Sequence, residues 1–440
     1  MSSIPSLMAE GMAILPILER IQSAGMPVSI SRIRSLHAEM QSELDILNLK
    51  IYNDYWGDYP VKSLSDIPKG KGFNPKSPMQ VASLCRRLGI QPSIRTDTGA
   101  ASTSKKSIEE YRFTEPAISD IFDWRERQHN RDTYCNDVLS RVPPNYPHDI
   151  FTIHANIGTT KIPTRRWNAR NPNILGIPSR TELGKKVRNC YISPPGKIWC
   201  GFDLSGVEVR CLTHLSQDPL LKQAFANKIN PHKDTARRLF NLPSIDSVTD
   251  LQKAIAKTIN FLIIYGGGPG ALFDQLRSNG ITGYNLDSCQ SLIRNWYRTY
   301  QGVDEYRRKV ISSSKLTESA TDLWGMTRYL PGINCGEKKI EGEEGRAAVS
   351  QEVQGLASGM IRNSMAWLVP RIDDLISSGN LDPLCWRLML HDELIFLVNE
   401  GEEEVLSDLV LYALTKKSGI DLCVPIEAES HFGYSWGETK

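Results

Sequence analysis

The stretch "WRLMLHDELIFLV", residues 386–398, decides how this chain is expected to fold. Trp386, Leu388 and Leu390 share one face at period two, and Leu394, Phe396 and Val398 do so after the polar trio His391, Asp392 and Glu393. The pattern predicts two short strands that meet at this trio. An ionised carboxylate taken out of water without a partner is costly. Asp392 therefore calls either for a solvated turn or for a cation beside it, and on this stretch alone both readings stand.

The rest of the chain sets the context for that choice. With 440 residues, 40% of them hydrophobic and 23% charged, it has the composition of a globular protein of two or three domains. No stretch approaches the roughly 18 consecutive apolar residues of a membrane span, and the N-terminus lacks a signal-peptide pattern. The expected location is the cytoplasm, with no membrane partner. Nine cysteines are scattered without a CxxC pair or a histidine at ligand spacing, which points to reduced thiols and not to zinc or a disulfide framework. Between Lys161 and Arg188 lie eight basic residues (Lys161, Arg165, Arg166, Arg170, Arg180, Lys185, Lys186, Arg188) and one acid, Glu182. Such a stripe suits a polyanion or forms a solvated basic face.

Leu15, Leu18 and Ile21 fall at helical spacing before Gly25, and Ser31 can cap a long second helix running to about Tyr55. Two polar loops follow, "PVKSLSDIPKGKGFNPKSP" and "RTDTGAASTSKKS", on either side of a helix over Met79–Leu88. From about residue 150 strand-like segments begin. A mostly helical middle extends from Pro219 to about Tyr306.

Two further segments carry chemistry. In "IWCGFDLSGVEVR" a β-rich run ends at Asp203, and Ser205 with Glu208 fits a capping box for the helix that follows. Asp203 at a strand end can point into a cleft. Two such aspartates suit Mg²⁺, which takes hard oxygen ligands and keeps waters or phosphates in its remaining positions. In "VTDLQKAIAKTINFLIIYGGGPG", Thr249 and Gln252 fit a second capping box, and a glycine cluster ends the helix. Lys253, Lys257, Phe261 and Tyr265 recur every four residues on one face. Cations in the first turns of a helix oppose its dipole unless an anion binds there. The face reads either as snorkelling lysines beside a core aromatic or as a phosphate clamp leading to an aromatic shelf.

Taken together, these segments resemble motifs A, B and C of family A DNA polymerases, the DNA polymerase I type. "DLSGVEVRCLTHLSQDP" is similar to D-Y-S-Q-I-E-L-R, "KAIAKTINFLIIYG" to R-x-x-x-K-x-x-x-F-x-x-x-Y-G, and "HDE" to motif C. "NPNILGIPSRTELGKKVR", "GMTRYLPGI" and "RAAVSQEVQG" resemble segments between these motifs. "FNPKSPMQVASLCRRLGI" and "TDTGAASTSKKS" resemble the thumb. The resemblance runs over residues 10–440 in the family's order.

The resemblance implies an α+β, right-hand fold: a helical thumb (1–150), an antiparallel-sheet palm (151–218 and 346–440) and mostly helical fingers (219–345). It implies template-directed addition of deoxynucleotides to a primer 3′-OH. Asp203 and Asp392 match the metal-binding aspartates of two Mg²⁺ ions, which Mn²⁺ can replace, and the Leu204 carbonyl is a further ligand. Lys253, Lys257 and His232 match triphosphate-binding positions, and Phe261 and Tyr265 match the aromatics that pack against the incoming nucleotide. Glu208 matches the glutamate that, with the tyrosine, crowds the sugar 2′ position. Arg166, Gln354 and His391 match primer–template contacts, and Glu393 stands behind the metals.

The implied partners are primer–template DNA and dNTPs, with a processivity factor or a separate exonuclease chain as further candidates and a monomer as the expected state. Lys253 replaces the family's arginine, Gly206 a glutamine, Thr327 an arginine and Ser350 an asparagine, each losing a polar contact. No D-x-E pair precedes motif A, so 3′–5′ proofreading is not expected in this chain. The compact layout leans towards a viral source, which would place the protein in the host cytoplasm.

Overall fold

The computed structural model describes residues 7–112, 114–159, 161–178 and 181–439. The first six residues and Arg180 of the basic segment lie outside them. Among the described residues, no helix is long and apolar enough to cross a membrane.

The fold is α+β, organised on a four-stranded sheet. Its strands are β1 (Lys197–Leu204), β2 (Trp386–Leu390), β3 (Glu393–Asn399) and β4 (Ala428–Gly433). They lie in the order β4-β1-β3-β2, every neighbour antiparallel. The expected hairpin is present, and its two strands are covered on both faces. All of β2 and all but the last residue of β3 are buried, and a bulge between Trp386 and Leu388 breaks the period-two alternation. The cause lies far away in sequence. Helix Leu7–Ala24 packs on β2, and helix Glu403–Lys416 packs on β1 and β4. A strand covered in this way reads as a continuous apolar run. Arg387, inside β2, donates through one guanidinium nitrogen to the carbonyls of Ala24 (2.7 Å) and Gly25 (2.9 Å), at the end of that helix.

The tail closes over β1 at Gly201. A Cβ there would sit 2.8 Å from the Thr439 Cβ and 2.9 Å from its carbonyl oxygen, so only glycine admits the approach. Gly201→Ala is expected to cost about 1–3 kcal/mol through overpacking, read as a lower denaturant midpoint. An unchanged midpoint would mean that the tail does not pack on β1.

Helices flank the sheet on either side in sequence. The segment after β1 carries helix Val207–Ser216 and then six more, Pro219–Ala226, Pro231–Leu239, Asp250–Ile264, Pro269–Ser278, Leu286–Thr299 and Gln301–Thr317. Three start with proline at the first turn, and Asp218 and Asn230 cap two of these by accepting backbone N–H groups. The helical run therefore passes the expected end near Tyr306.

A 40-residue helix, Lys338–Ser377, crosses the core. The Asp322–Trp324 turn presses onto it at Gly355 and Gly359, where a Cβ would collide with the Asp322 carboxylate and the Trp324 indole nitrogen. Residues from Leu44 to Trp124 build a separate small core with Val81, Leu84, Ile118 and Ile121 at its centre. The second helix, Ile30–Ile51, is capped by Ser29 and not by Ser31, because the Ser31 amide donates instead to Asp149 (2.7 Å).

Candidate active site

Backbone pairing brings Asp203 and Asp392 to one place. Register sets Asp203 opposite Glu393, and the Leu204 N–H donates to the Asp392 carbonyl (3.1 Å), so the end of β1 is tied to the hairpin turn. His391 opens that turn with φ of 58°, a left-handed conformation unusual for a side chain with Cβ. Strain of this kind persists where surrounding pairing over-determines it. Glu393 is not in the turn, as expected, but is the first residue of β3. It is fully buried at 0% exposure. Its carboxylate lies 3.9 Å from the Arg188 guanidinium, which also sits 4.3 Å from the Trp436 ring centroid and donates to the Ile177 carbonyl (3.1 Å).

The Ser205–Glu208 capping box does not form. Gly206 takes a left-handed conformation (φ 60°) and caps helix Val207–Ser216 without a side-chain bond. Ser205 turns away and donates to Glu429 (2.9 Å). Glu208 is thereby available on the other side, where it accepts from the Tyr265 hydroxyl (2.9 Å) and pairs with Arg166. Arg166 also donates to the Tyr265 oxygen (3.3 Å), with its guanidinium 5.5 Å from that ring's centroid.

Burial raises the Glu208 carboxyl above its usual value, while Arg166 and Tyr265 oppose the shift. Burial, aided by Glu208, pushes the Tyr265 phenol up to about 12. A carboxyl with a raised folded value binds its proton more tightly in the native state. Its contribution to stability is present below the ordinary value of 4.5 and is lost as pH rises through the raised one. Glu208→Gln should therefore gain thermal stability relative to the wild type as pH is raised from about 4.5, whereas parallel melting curves would contradict the burial argument.

The facing wall comes from helix Asp250–Ile264, whose Thr249–Gln252 capping box forms as the sequence indicates. Lys257, Phe261 and Tyr265 follow one face. The Phe261 and Tyr265 rings lie 6.5 Å apart at 30°, and His232, from the neighbouring helix, lies 5.5 Å from Phe261.

These groups enclose a cleft of about 580 Å³, lined by Arg166, Asp203, Leu204, Glu208, His232, Lys257, Phe261, Tyr265, His391 and Asp392 together with Arg188 and the Leu175–Pro178 segment. Lys253, Gln354 and Glu393 do not line it. Arg188 and Leu175–Pro178 were not foreseen as site residues. Arg188 had a signal only as one cation among many in the basic run.

That basic run is not a stripe. Arg165 is buried with Asp322 (3.3 Å) and donates to the Gly355 carbonyl (3.2 Å), which turns its neighbour Arg166 into the cleft. Arg188 is buried, and Lys185 and Lys186 pair with Glu182 and Glu39. Arg165 and Arg166 thus face opposite ways, while among the described residues of the run Lys161, Arg170, Lys185 and Lys186 are exposed. Further exposed cations belong to the segment that builds the small N-terminal core, at Lys69, Lys71, Arg86, Arg95 and Lys105.

The donor set suits a hard divalent ion. Two half-buried carboxylates, Asp203 and Asp392, line the cleft together with Leu204 at the end of β1. Among the described residues, no group of three or more His, Cys, Asp or Glu forms a closed cage. Such an open oxygen set leaves coordination positions for water and phosphate, which is how Mg²⁺ is usually held, whereas it lacks the nitrogen or sulfur ligands zinc prefers.

The sequence pattern of DNA polymerase family A matches residues 61–438. DNA polymerase I of Deinococcus radiodurans is 29% identical over 376 residues, covering 84% of this chain and 37% of that protein. DNA polymerase I of Bacillus subtilis is 28% identical over 432 residues, covering 98% of this chain and 45% of that protein. The chain thus spans less than half the length of these curated relatives. A solved structure, the POL domain of Pol1 from M. smegmatis in complex with DNA primer-template and dNTP, superposes with a TM-score of 0.80 at 25% identity, covering 98% of this chain and 70% of that one.

Proposed function

Because this chain belongs to DNA polymerase family A, we propose that it adds deoxynucleoside monophosphates to a primer 3′-OH under the direction of a template strand. One observation carries the proposal. A single cleft gathers two strand-end aspartates, a lysine and a histidine from the facing helices, and the Glu208–Tyr265 contact. The similar M. smegmatis structure holds primer-template and dNTP, which supports the same partners here.

In this reading Lys257 and His232 bind the triphosphate, and Lys257 balances charge on the leaving pyrophosphate. Phe261 stacks on the incoming base. Tyr265, held by Glu208, occupies the space a ribose 2′-OH would need. Arg166 and His391 contact the primer–template end. Lys253, one turn before Lys257, and Gln354 join when the fingers helix closes over a paired nucleotide.

Family A polymerases use divalent metals. Asp203 and Asp392 with the Leu204 carbonyl would hold two Mg²⁺ ions, replaceable by Mn²⁺, which supply acidification of the primer hydroxyl and charge neutralisation at the phosphates. Glu393, anchored on Arg188, keeps β1 and β3 in register behind the two aspartates.

The proposed division is thumb 1–150, palm 151–218 and 346–440, and fingers 219–345, with the first helix seated against the palm sheet. The proposed setting is the compartment that holds the DNA, the cytoplasm of the cell or of a viral host. The proposal assigns these residues no 3′–5′ proofreading, so a mispaired primer terminus should persist when incubated without dNTPs. The test of the main reading is a primed template offered each dNTP singly. Addition of only the nucleotide complementary to the first template base supports it, and addition indifferent to the template overturns it.

A further inference from the structure

Asn260 lies on the inner face of the Asp250–Ile264 helix, 3% exposed, where an amide contributes little to helix propensity and must have all its polar atoms satisfied. Its partners leave no freedom in how it is oriented. The Trp296 indole N–H, itself 1% exposed, lies 2.7 Å from Asn260 Oδ1. An indole nitrogen only donates, so the atom facing it is the amide oxygen. The Asn260 Nδ2 then faces Thr235 Oγ1 (3.1 Å) and His232 Nδ1 (2.9 Å), one N–H for each. Thr235 uses its own proton on the Pro231 carbonyl (2.8 Å), which leaves its oxygen to accept from Asn260 and from the Tyr300 hydroxyl (2.9 Å). Rotating the amide would set N–H against N–H at Trp296 and oxygen against the ring nitrogen at His232.

We infer that Asn260, held by Trp296, is a positioning residue that fixes the His232 ring as its neutral Nε2–H tautomer, so that the cleft side of the ring is a hydrogen-bond donor toward the triphosphate. With Nδ1 accepting from Asn260, the neutral ring carries its proton on Nε2. That nitrogen lies across the ring from the one that Asn260 holds, and His232 is a lining residue of the cleft. A triphosphate oxygen needs a donor, and the opposite tautomer would present it with a lone pair. The device spans three helices: Trp296 on Leu286–Thr299, Asn260 on Asp250–Ile264 and His232 on Pro231–Leu239. The orientation of the phosphate ligand is thereby set from the back of the bundle. The inference rests on the reading that His232 meets the triphosphate.

The test begins with ¹⁵N-histidine NMR of the nucleotide-free protein, the His232 signals being assigned by their loss in His232→Gln. The expected wild-type signature is protonated Nε2 with unprotonated Nδ1. Asn260→Asp keeps the shape but offers Nδ1 an acceptor, and should move the proton onto Nδ1. A wild-type Nδ1–H signature overturns the inference even where primer extension is intact. A chain that shows the Nε2–H tautomer but extends no primer overturns the proposed function and leaves the tautomer assignment standing.

Kinetics supply the second readout. Trp296→Phe frees the amide and should raise the dNTP KM by about fivefold, the scale of one hydrogen bond, with a smaller change in kcat. In a His232→Ala background the same substitution should leave KM unchanged. An equal rise in both backgrounds would show Trp296 acting only through packing and would overturn the relay.

Discussion

Asp392→Ala is expected to slow single-nucleotide primer extension by about three orders of magnitude or more, with primer–template affinity nearly unchanged. Asp203→Ala should do the same. Both carboxylates stand at the meeting of β1 with the β2–β3 turn, fixed by the Leu204 to Asp392 backbone bond and the Asp203–Glu393 register. Neither belongs to the buried core, so removing one takes away charge from the cleft without opening a cavity. The loss should fall on the chemical step, because in the proposed reading these carboxylates would hold the ions that supply charge neutralisation at the reacting phosphate. The double variant should be hardly slower than either single one, since residues that act as a unit are not additive. Single-turnover kinetics with saturating dNTP reads the step, and equilibrium binding of labelled primer–template reads the affinity. A variant that extends primers at near wild-type rate would show that the metal site lies elsewhere.

The second large effect concerns sugar choice. Glu208→Ala is expected to narrow the preference for dNTP over rNTP by about 10²-fold, expressed as the ratio of kcat/KM values. Glu208 fixes the Tyr265 hydroxyl at 2.9 Å, with Arg166 held on the same carboxylate. A ribose 2′-OH arriving there would have to displace a charge-assisted network anchored on the buried Glu208 carboxylate. Alanine leaves room for the hydroxyl and frees Tyr265 to move. Most of the change should appear as a lower KM for rNTP, with dNTP addition only modestly slower. An unchanged ratio would mean that the discriminating contact is made by other groups.

Much of this site is legible in the sequence because strand ends and helix faces follow local rules. Asp203 and Asp392 stand out as carboxylates that end apolar runs, and the four-residue spacing of Lys253, Lys257, Phe261 and Tyr265 places them on one face. The Thr249–Gln252 box forms, with Thr249 and Gln252 bonded reciprocally. The Ser205–Glu208 box has the same pattern but fails, since Gly206 turns left-handed and Glu208 finds Arg166 and Tyr265, which are remote in sequence.

Long-range partners also explain the other departures. The strands beside Asp392 are buried throughout because distant helices cover the sheet. The basic stripe breaks up because Arg165 and Arg188 find buried carboxylates at Asp322 and Glu393. A spacing rule reports which side of an element a residue occupies. It does not report which distant acid waits there.

In the proposed function one cleft, closed by strand ends on one wall and the Asp250–Ile264 helix on the other, joins deoxynucleotides to a primer. The most direct measurement follows pyrophosphate release and primer length together on a long primed template with Mg²⁺ and all four dNTPs. The expected result is one pyrophosphate for each nucleotide added, with both signals lost together in Asp203→Ala and Asp392→Ala. Primer lengthening without equivalent pyrophosphate, or pyrophosphate release that persists in these variants, would contradict the account.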